Sequence, residues 1–251
     1  VTAGRFAACV GLATAAATVL LVTVVPAHAQ DISINFGQGT GLTERVIQLI
    51  ALLTVLSLAP SILVMMTSFT RIVVVLSLLR TALGTATAPP NAVIISLALF
   101  LTAFVMGPAF QRAYDAGVKP LIANEVTAEQ AFERASGPFK EFMLKNVRDK
   151  DLKLFNDLAR EPAPATPDQI SLRILIPAFM ISELKRAFEI GFLLFLPFLI
   201  IDLVVASVLM SMGMMMLPPV VVSLPFKLIF FVLVDGWSLV AGSLVQSYGS
   251  G

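Results

Sequence analysis

The chain has 251 residues but only one cysteine, one histidine and one tryptophan. Cys9 and His28 both lie in the first 29 residues, which read as a secretory signal. Arg5 supplies the positive start, Val10 to Val25 the apolar core, and Ala27-His28-Ala29 the small-x-small cleavage site. The alternative is an uncleaved first transmembrane helix; cleavage there leaves a chain without thiol or imidazole. That excludes zinc sites, Cys or Ser–His catalysis, and haem ligation through His or Cys. No cofactor or metal is expected. Charge is also scarce, at 13% of residues, where soluble domains carry about a quarter. A net charge of +1 offers no basis for nucleic acid or another polyanion as partner. The sequence has no Walker-type phosphate loop, so it supplies no nucleotide energy of its own. No internal repeat is evident. Asp, Glu and Lys remain as acids and bases, and enzyme activity is not expected.

What is present is apolar. Hydrophobic residues make up 57% of the chain and the mean hydropathy is +0.91. This composition predicts an all-α integral membrane protein. Val46 to Met66 is uncharged, as is Asn91 to Phe110, and each is long enough as a helix to span a bilayer. Ile190 to Leu209 is broken only by Asp202, and a last span, Val220 to Val245, contains Pro225, Lys227, Asp235 and Gly236. Asp202 in such a run is expected to face protein or water. Kinks are expected at Pro60 and Pro177. Arg71 and Arg80 flank the apolar run Ile72 to Leu79 and face opposite ways on a helix.

The sequence divides into four segments. Residues 1–29 are the signal, 30–110 an N-terminal helical hairpin with membrane spans, 111–168 an exposed charged helical insert, and 169–251 a C-terminal helical hairpin. The insert, Gln111 to Asp168, carries 9 of the 17 Lys/Arg and 10 of the 16 Asp/Glu. Thr127-Ala-Glu-Gln130 has the form of a capping box, and Gly137-Pro138 is expected to stop that helix. Phe142 and Phe155 should then sit on two different helices. The Arg148-Asp-Lys-Asp151 run reads as a solvated face or turn. Glu161 to Pro167 reads as a stiff linker, with a helix restarting at Thr166-Pro167-Asp168-Gln169.

Two clusters stand out near the C-terminus. Glu183, Lys185, Arg186 and Glu189 precede the third span; Glu183 and Arg186, and Lys185 and Glu189, are spaced to meet along one helix. They form either an ion-pair cluster at the membrane interface or a polar girdle between subunits. Leu209 to Pro219 holds five of the ten methionines and ends in two prolines, which no helix runs through. Methionine is unbranched and flexible, so it fills gaps of changing shape without presenting charge. Spacing leaves two readings open: a deformable apolar seal in a pore, or a lipid-facing or packed loop with Met as filler. Asp202 and Asp235 could serve an intramembrane aspartyl protease, but Val-Asp-Gly-Trp around Asp235 lacks the Gly-x-Gly-Asp pattern of that class. A solute transporter is disfavoured because inverted repeats are not detectable.

Several motifs together resemble one family. They are Leu56-Ser-Leu-Ala-Pro60-Ser-Ile-Leu, Met66-Thr-Ser-Phe-Thr-Arg71-Ile, Ile176-Pro-Ala-Phe-Met-Ile-Ser-Glu183-Leu-Lys, Phe188-Glu-Ile-Gly-Phe, Gly213-Met-Met-Met-Leu-Pro-Pro and Leu224-Pro-Phe-Lys227-Leu. In order and spacing they are similar to the FliP family of flagellar biosynthesis proteins, over nearly the whole chain after the signal. The resemblance implies an inner-membrane subunit of the flagellar type III export gate. It implies five copies assembled with FliQ and FliR, alongside FlhA and FlhB, passing unfolded flagellar substrates. It implies that Met214, Met215 and Met216 hold the channel shut and that subunits meet through Phe142, Phe155 and Glu183, with Lys185 and Arg186 beside them. The insert and C-terminus would lie on the periplasmic side. The gate of a virulence injectisome is the neighbouring alternative.

Overall fold

The computed structural model describes residues 42–85, 87–160, 166, 169–214 and 216–249. The signal, most of the linker from Glu161 and the central Met215 lie outside the described residues. The described chain is helical: α1 (Leu42–Met65), α2 (Phe69–Leu83), α3 (Asn91–Ala113), a π-helical segment (Tyr114–Val118), α4 (Lys119–Ile122), α5 (Ala128–Asn146), α6 (Asp149–Ala159), α7 (Leu172–Ser211), α8 (Pro219–Leu233) and α9 (Gly236–Gly249). The chain divides into two compact units, residues 1–53 and 54–251. The second unit contains α2 to α9 and both hydrophobic cores.

α2 lies at the centre of that unit. Ile72, Val75, Leu76, Leu79, Ala82 and Leu83 are all buried, and they pack with Ala98 of α3, Ala187 and Phe198 of α7, Phe231 of α8, and Val240 and Leu244 of α9. Its Val-Val-Val run is a modest helix former. Burial against four neighbours, rather than propensity, holds it helical. A second core joins Met106 and Ala109 of α3, Phe139 and Met143 of α5, and Leu175, Ala178 and Phe179 of α7. It fixes the charged helices onto one end of α3 and α7.

Two helices in the described residues are long and apolar enough to cross a membrane: Asn91–Ile122 and Leu172–Ser211. α8 and α9 together pass as a third, bent by 63°. Their outer faces are apolar. Phe100 and Phe104 of α3, Phe192 and Leu193 of α7, and Val232 and Leu233 of α8 are all exposed, as lipid or another chain would require. The expected all-α membrane protein is what the structure shows.

Prolines terminate less than the sequence predicts. The α5 helix runs through Gly137-Pro138 to Asn146, and α3 runs through Pro108 to Ala113. In α5 the buried stripe of Ala131, Phe139 and Met143 spans the proline, and packing outweighs one lost hydrogen bond. Pro177 and Pro197 lie inside the 40-residue α7. That helix begins at Leu172, five residues past the expected first position at Pro167, capped by the Ser171 hydroxyl, which accepts from the Arg173 N–H at 3.3 Å. The capping box at Thr127 forms as expected, with both reciprocal bonds to Gln130. The last span is not one helix, because the chain turns at Val234-Asp235, where Asp235 has a φ of 50°.

The π segment carries Gly117 against α5. A Cβ there would meet the Ala131 carbonyl oxygen and the Ala135 side chain, whereas a Cβ on Gly137 meets nothing within 4 Å. Gly117→Ala should therefore lower stability by about 1–3 kcal/mol. Gly137→Ala should raise it by up to about 1 kcal/mol. Thermal unfolding of the detergent-solubilised protein checks both. A stabilising Gly117→Ala would contradict this packing.

Candidate functional site: buried ion pairs and the methionine turn

Arg71 sits in the first turn of α2 and Glu183 in the middle of α7, with 1% and 0% of their side-chain surface exposed. The guanidinium meets the carboxylate through two donors, Nε to Oε2 at 2.9 Å and Nη2 to Oε1. This is the forked geometry that arginine alone provides. Nη1 donates to the Ser247 hydroxyl of α9 at 2.9 Å. The guanidinium also lies 3.8 Å from the centroid of the Tyr248 ring, a cation–π contact. The Tyr248 hydroxyl donates to Glu183 Oε2. Phe142 of α5 stacks on Tyr248 at 5.7 Å and meets Phe179 edge-on at 6.0 Å. One buried charge pair thus gathers α2, α5, α7 and α9.

A second pair ties the C-terminal hairpin. Lys227 of α8 is 3% exposed, and its Nζ donates to Asp202 Oδ2 of α7 at 2.6 Å and to the Ala82 carbonyl of α2 at 3.3 Å. The Ser223 hydroxyl donates to Asp202 Oδ1. Asp202 faces protein, as expected. Its partner is Lys227, and Asp235 lies beyond the end of that helix, so nothing here assembles a pair of catalytic carboxylates.

The third cluster corrects a solvated reading. Asp151 is buried at the start of α6. Burial would raise its pKa. The bond from Ser182 Oγ (2.7 Å), those from Arg148 Nε and Nη2 (2.7 and 2.9 Å), and the charges of Arg148 and Lys185 prevail and hold the carboxyl below its ordinary value.

At the far end of the hairpin, α7 stops at Ser211 and α8 starts at Pro219. Gly213, with a φ of 75°, reverses the chain, and the Met214 N–H closes onto the Leu209 carbonyl at 3.0 Å. The described side chains of the turn are largely left open by their own chain: Met212 is 62% exposed, Met214 42% and Met216 98%. A cluster of exposed methionines at the tip of a fixed hairpin is an adaptable apolar surface.

The other expected site residues fall in two groups. Phe142 and Phe155 are half-buried on α5 and α6 respectively, one on each helix as expected, and pack on the second core. Lys185 and Glu189 form an exposed pair at 3.7 Å, with Arg186 half-buried beside them. Glu183 does not pair with Arg186; Arg71 claims it from a distant helix. Sequence reasoning missed Arg71 and Tyr248 as partners of Glu183, and Ser247 as a partner of Arg71. A lone arginine beside an apolar run was the available signal for the first.

The FliP family model matches residues 52–244. The chain belongs to the FliP family. It is 66% identical to the flagellar biosynthetic protein FliP of Caulobacter vibrioides, over 91% of this chain and 87% of that one. It is 56% identical to FliP of Bacillus subtilis, over 80% and 91%, and 55% identical to FliP of Rhizobium meliloti, over 81% and 84%. The match spans both buried membrane pairs and the methionine turn.

Glu183→Gln leaves Arg71 buried without a counter-charge and should cost about 3–5 kcal/mol, read as a fall in the thermal midpoint in detergent. Asp151 contributes differently. Its depressed pKa gives stability that is present above about pH 4, the unfolded value, and lost as pH falls through the folded value. The midpoint gap between the natural chain and Asp151→Asn should be constant near neutrality and close in acid. A gap that widens in acid would contradict the sign.

Proposed function

We propose that the chain is a core subunit of the flagellar protein-export gate in the bacterial inner membrane. Copies of it, together with FliQ and FliR, surround a channel for unfolded flagellar proteins. The observation that carries this is the exposed methionine turn, held at the tip of a hairpin whose buried charges, Glu183 and Lys227 with Asp202, are paired lower down. Methionines from each copy converge on the axis and form an apolar plug. Ions and small hydrated solutes are excluded because the thioethers offer them no ligand. An extended polypeptide pushes the side chains aside at little cost, since unbranched Met repacks around many shapes. Met214, Met215 and Met216 of every copy form this ring.

Assembly uses the outer faces. Phe155, Lys185 and Arg186 lie where a neighbouring copy can reach them. Glu183, wholly buried in the protomer, supports the contact from behind by fixing Tyr248 and, through it, Phe142. The charged helices α5 and α6 and the C-terminus stand on the periplasmic side. The sequence has no Walker-type phosphate loop, so the energy for transport comes from elsewhere in the apparatus, of which FlhA and FlhB are the expected neighbours.

Replacing Met214, Met215 and Met216 together by alanine should let small solutes leak through the assembled gate, measured as dye entry or conductance in membranes containing the complex. Normal conductance together with normal export would defeat the seal.

A further inference from the structure

The hairpin formed by α7 and α8 is closed by Phe198 against Phe230 and Phe231 and opens into a groove towards the methionine turn. A groove lined by apolar side chains runs along the seam, from Ile200 and Phe230 past Val205 and Phe226 to Leu209 and Val222 near the turn. Apolar contact is non-directional, so aliphatic arms facing such a groove can slide or splay at small cost. The hydrogen bonds between side chains across this seam are those of Asp202. One carboxylate oxygen takes Ser223 and the other takes Lys227.

Lys227 does more than close the hairpin. Its Nζ also reaches the Ala82 carbonyl in the last turn of α2. Carbonyls there lack an intrahelical partner, and a cation near a helix C-terminus is favoured. Gly84 comes next but one in the left-handed conformation, and a Cβ on it would lie 3.8 Å from Lys227 Nζ. The lysine is therefore seated against the end of α2, whose other end is held by Arg71. Towards its methionine end, beyond the core contacts of Phe198 and Phe231, the hairpin is tied to the central helix by this ammonium.

We propose that Asp202 and Lys227 are positioning residues for the methionine turn: the pair sets where the hairpin tip sits, and loosening it unseats the plug with every methionine intact. The inference rests on the seal reading above. A purely structural ion pair behaves otherwise, because replacing both buried charges by apolar groups is commonly neutral for folding.

The test uses the full chain in its assembled complex, with Cys9 replaced by serine. Spin labels on cysteines at the exposed positions Val204 and Val221 report the spacing of the two arms. Solute conductance reports the plug. D202L/K227M should assemble in normal amount, broaden the label distances, and raise conductance about tenfold, a coupling of ordinary size. Asp202→Glu, which keeps the charge pair, should seal normally. Unchanged distances in D202L/K227M would overturn the clamp. Broadened distances with unchanged conductance would overturn its link to the plug. If D202L/K227M does not assemble, Asp202→Asn is measured in the same way, with the same two overturning results. Met214→Ala/Met216→Ala is run alongside. Its failure to leak would remove the seal reading instead, while the distance result still decides the clamp.

Discussion

A guanidinium and a carboxylate removed from water stand between four helices, and neither is tolerable there alone. The cost of burying an isolated charge is several kcal/mol or more. That cost is offset only if Arg71 keeps Glu183 and Ser247, and Glu183 keeps Tyr248. The relative placement of α2, α7 and α9 is therefore specified by geometry as well as by apolar contact. Grease alone would permit many registers between such helices. Forked hydrogen bonds and a ring stacked on the guanidinium permit far fewer. The same logic recurs along the hairpin, where Lys227 answers both Asp202 and the end of α2.

This division of labour makes sense of where the methionines lie. Charged pairs hold the body of the protomer. The tip beyond them has no charge and little packing among its described side chains, and Met216 is almost wholly exposed. A surface left so apolar on one chain is completed by lipid or by other copies. The proposed gate takes the second. Rigidity below and softness above is what a plug that yields to polypeptide but resists hydrated ions requires.

Much of the fold was legible because it is local. The uncharged runs, the capping box at Thr127, the break after the methionines and the need for Asp202 to find company all follow from residues close in sequence. The errors share one cause. Gly137-Pro138 did not end α5, and Asp151 was not solvated, because buried neighbours from other helices decided both. Helical spacing offers Arg186 to Glu183, three residues away, while its partner Arg71 is more than a hundred residues distant. Spacing rules see only one helix at a time. The methionine turn itself was visible, but composition could not separate a plug from filler; exposure at the hairpin tip and the family match carry that further.

The central claim is that the methionine tips of several copies meet one another around an axis. Oxidative cross-linking of Met216→Cys in native membranes, with Cys9 replaced by serine, tests it most directly. The account predicts disulfide-linked dimers of the chain in assembled complexes. Contradiction would be a Met216→Cys chain that never cross-links between copies and whose new thiol reacts only with lipid-dissolved reagents.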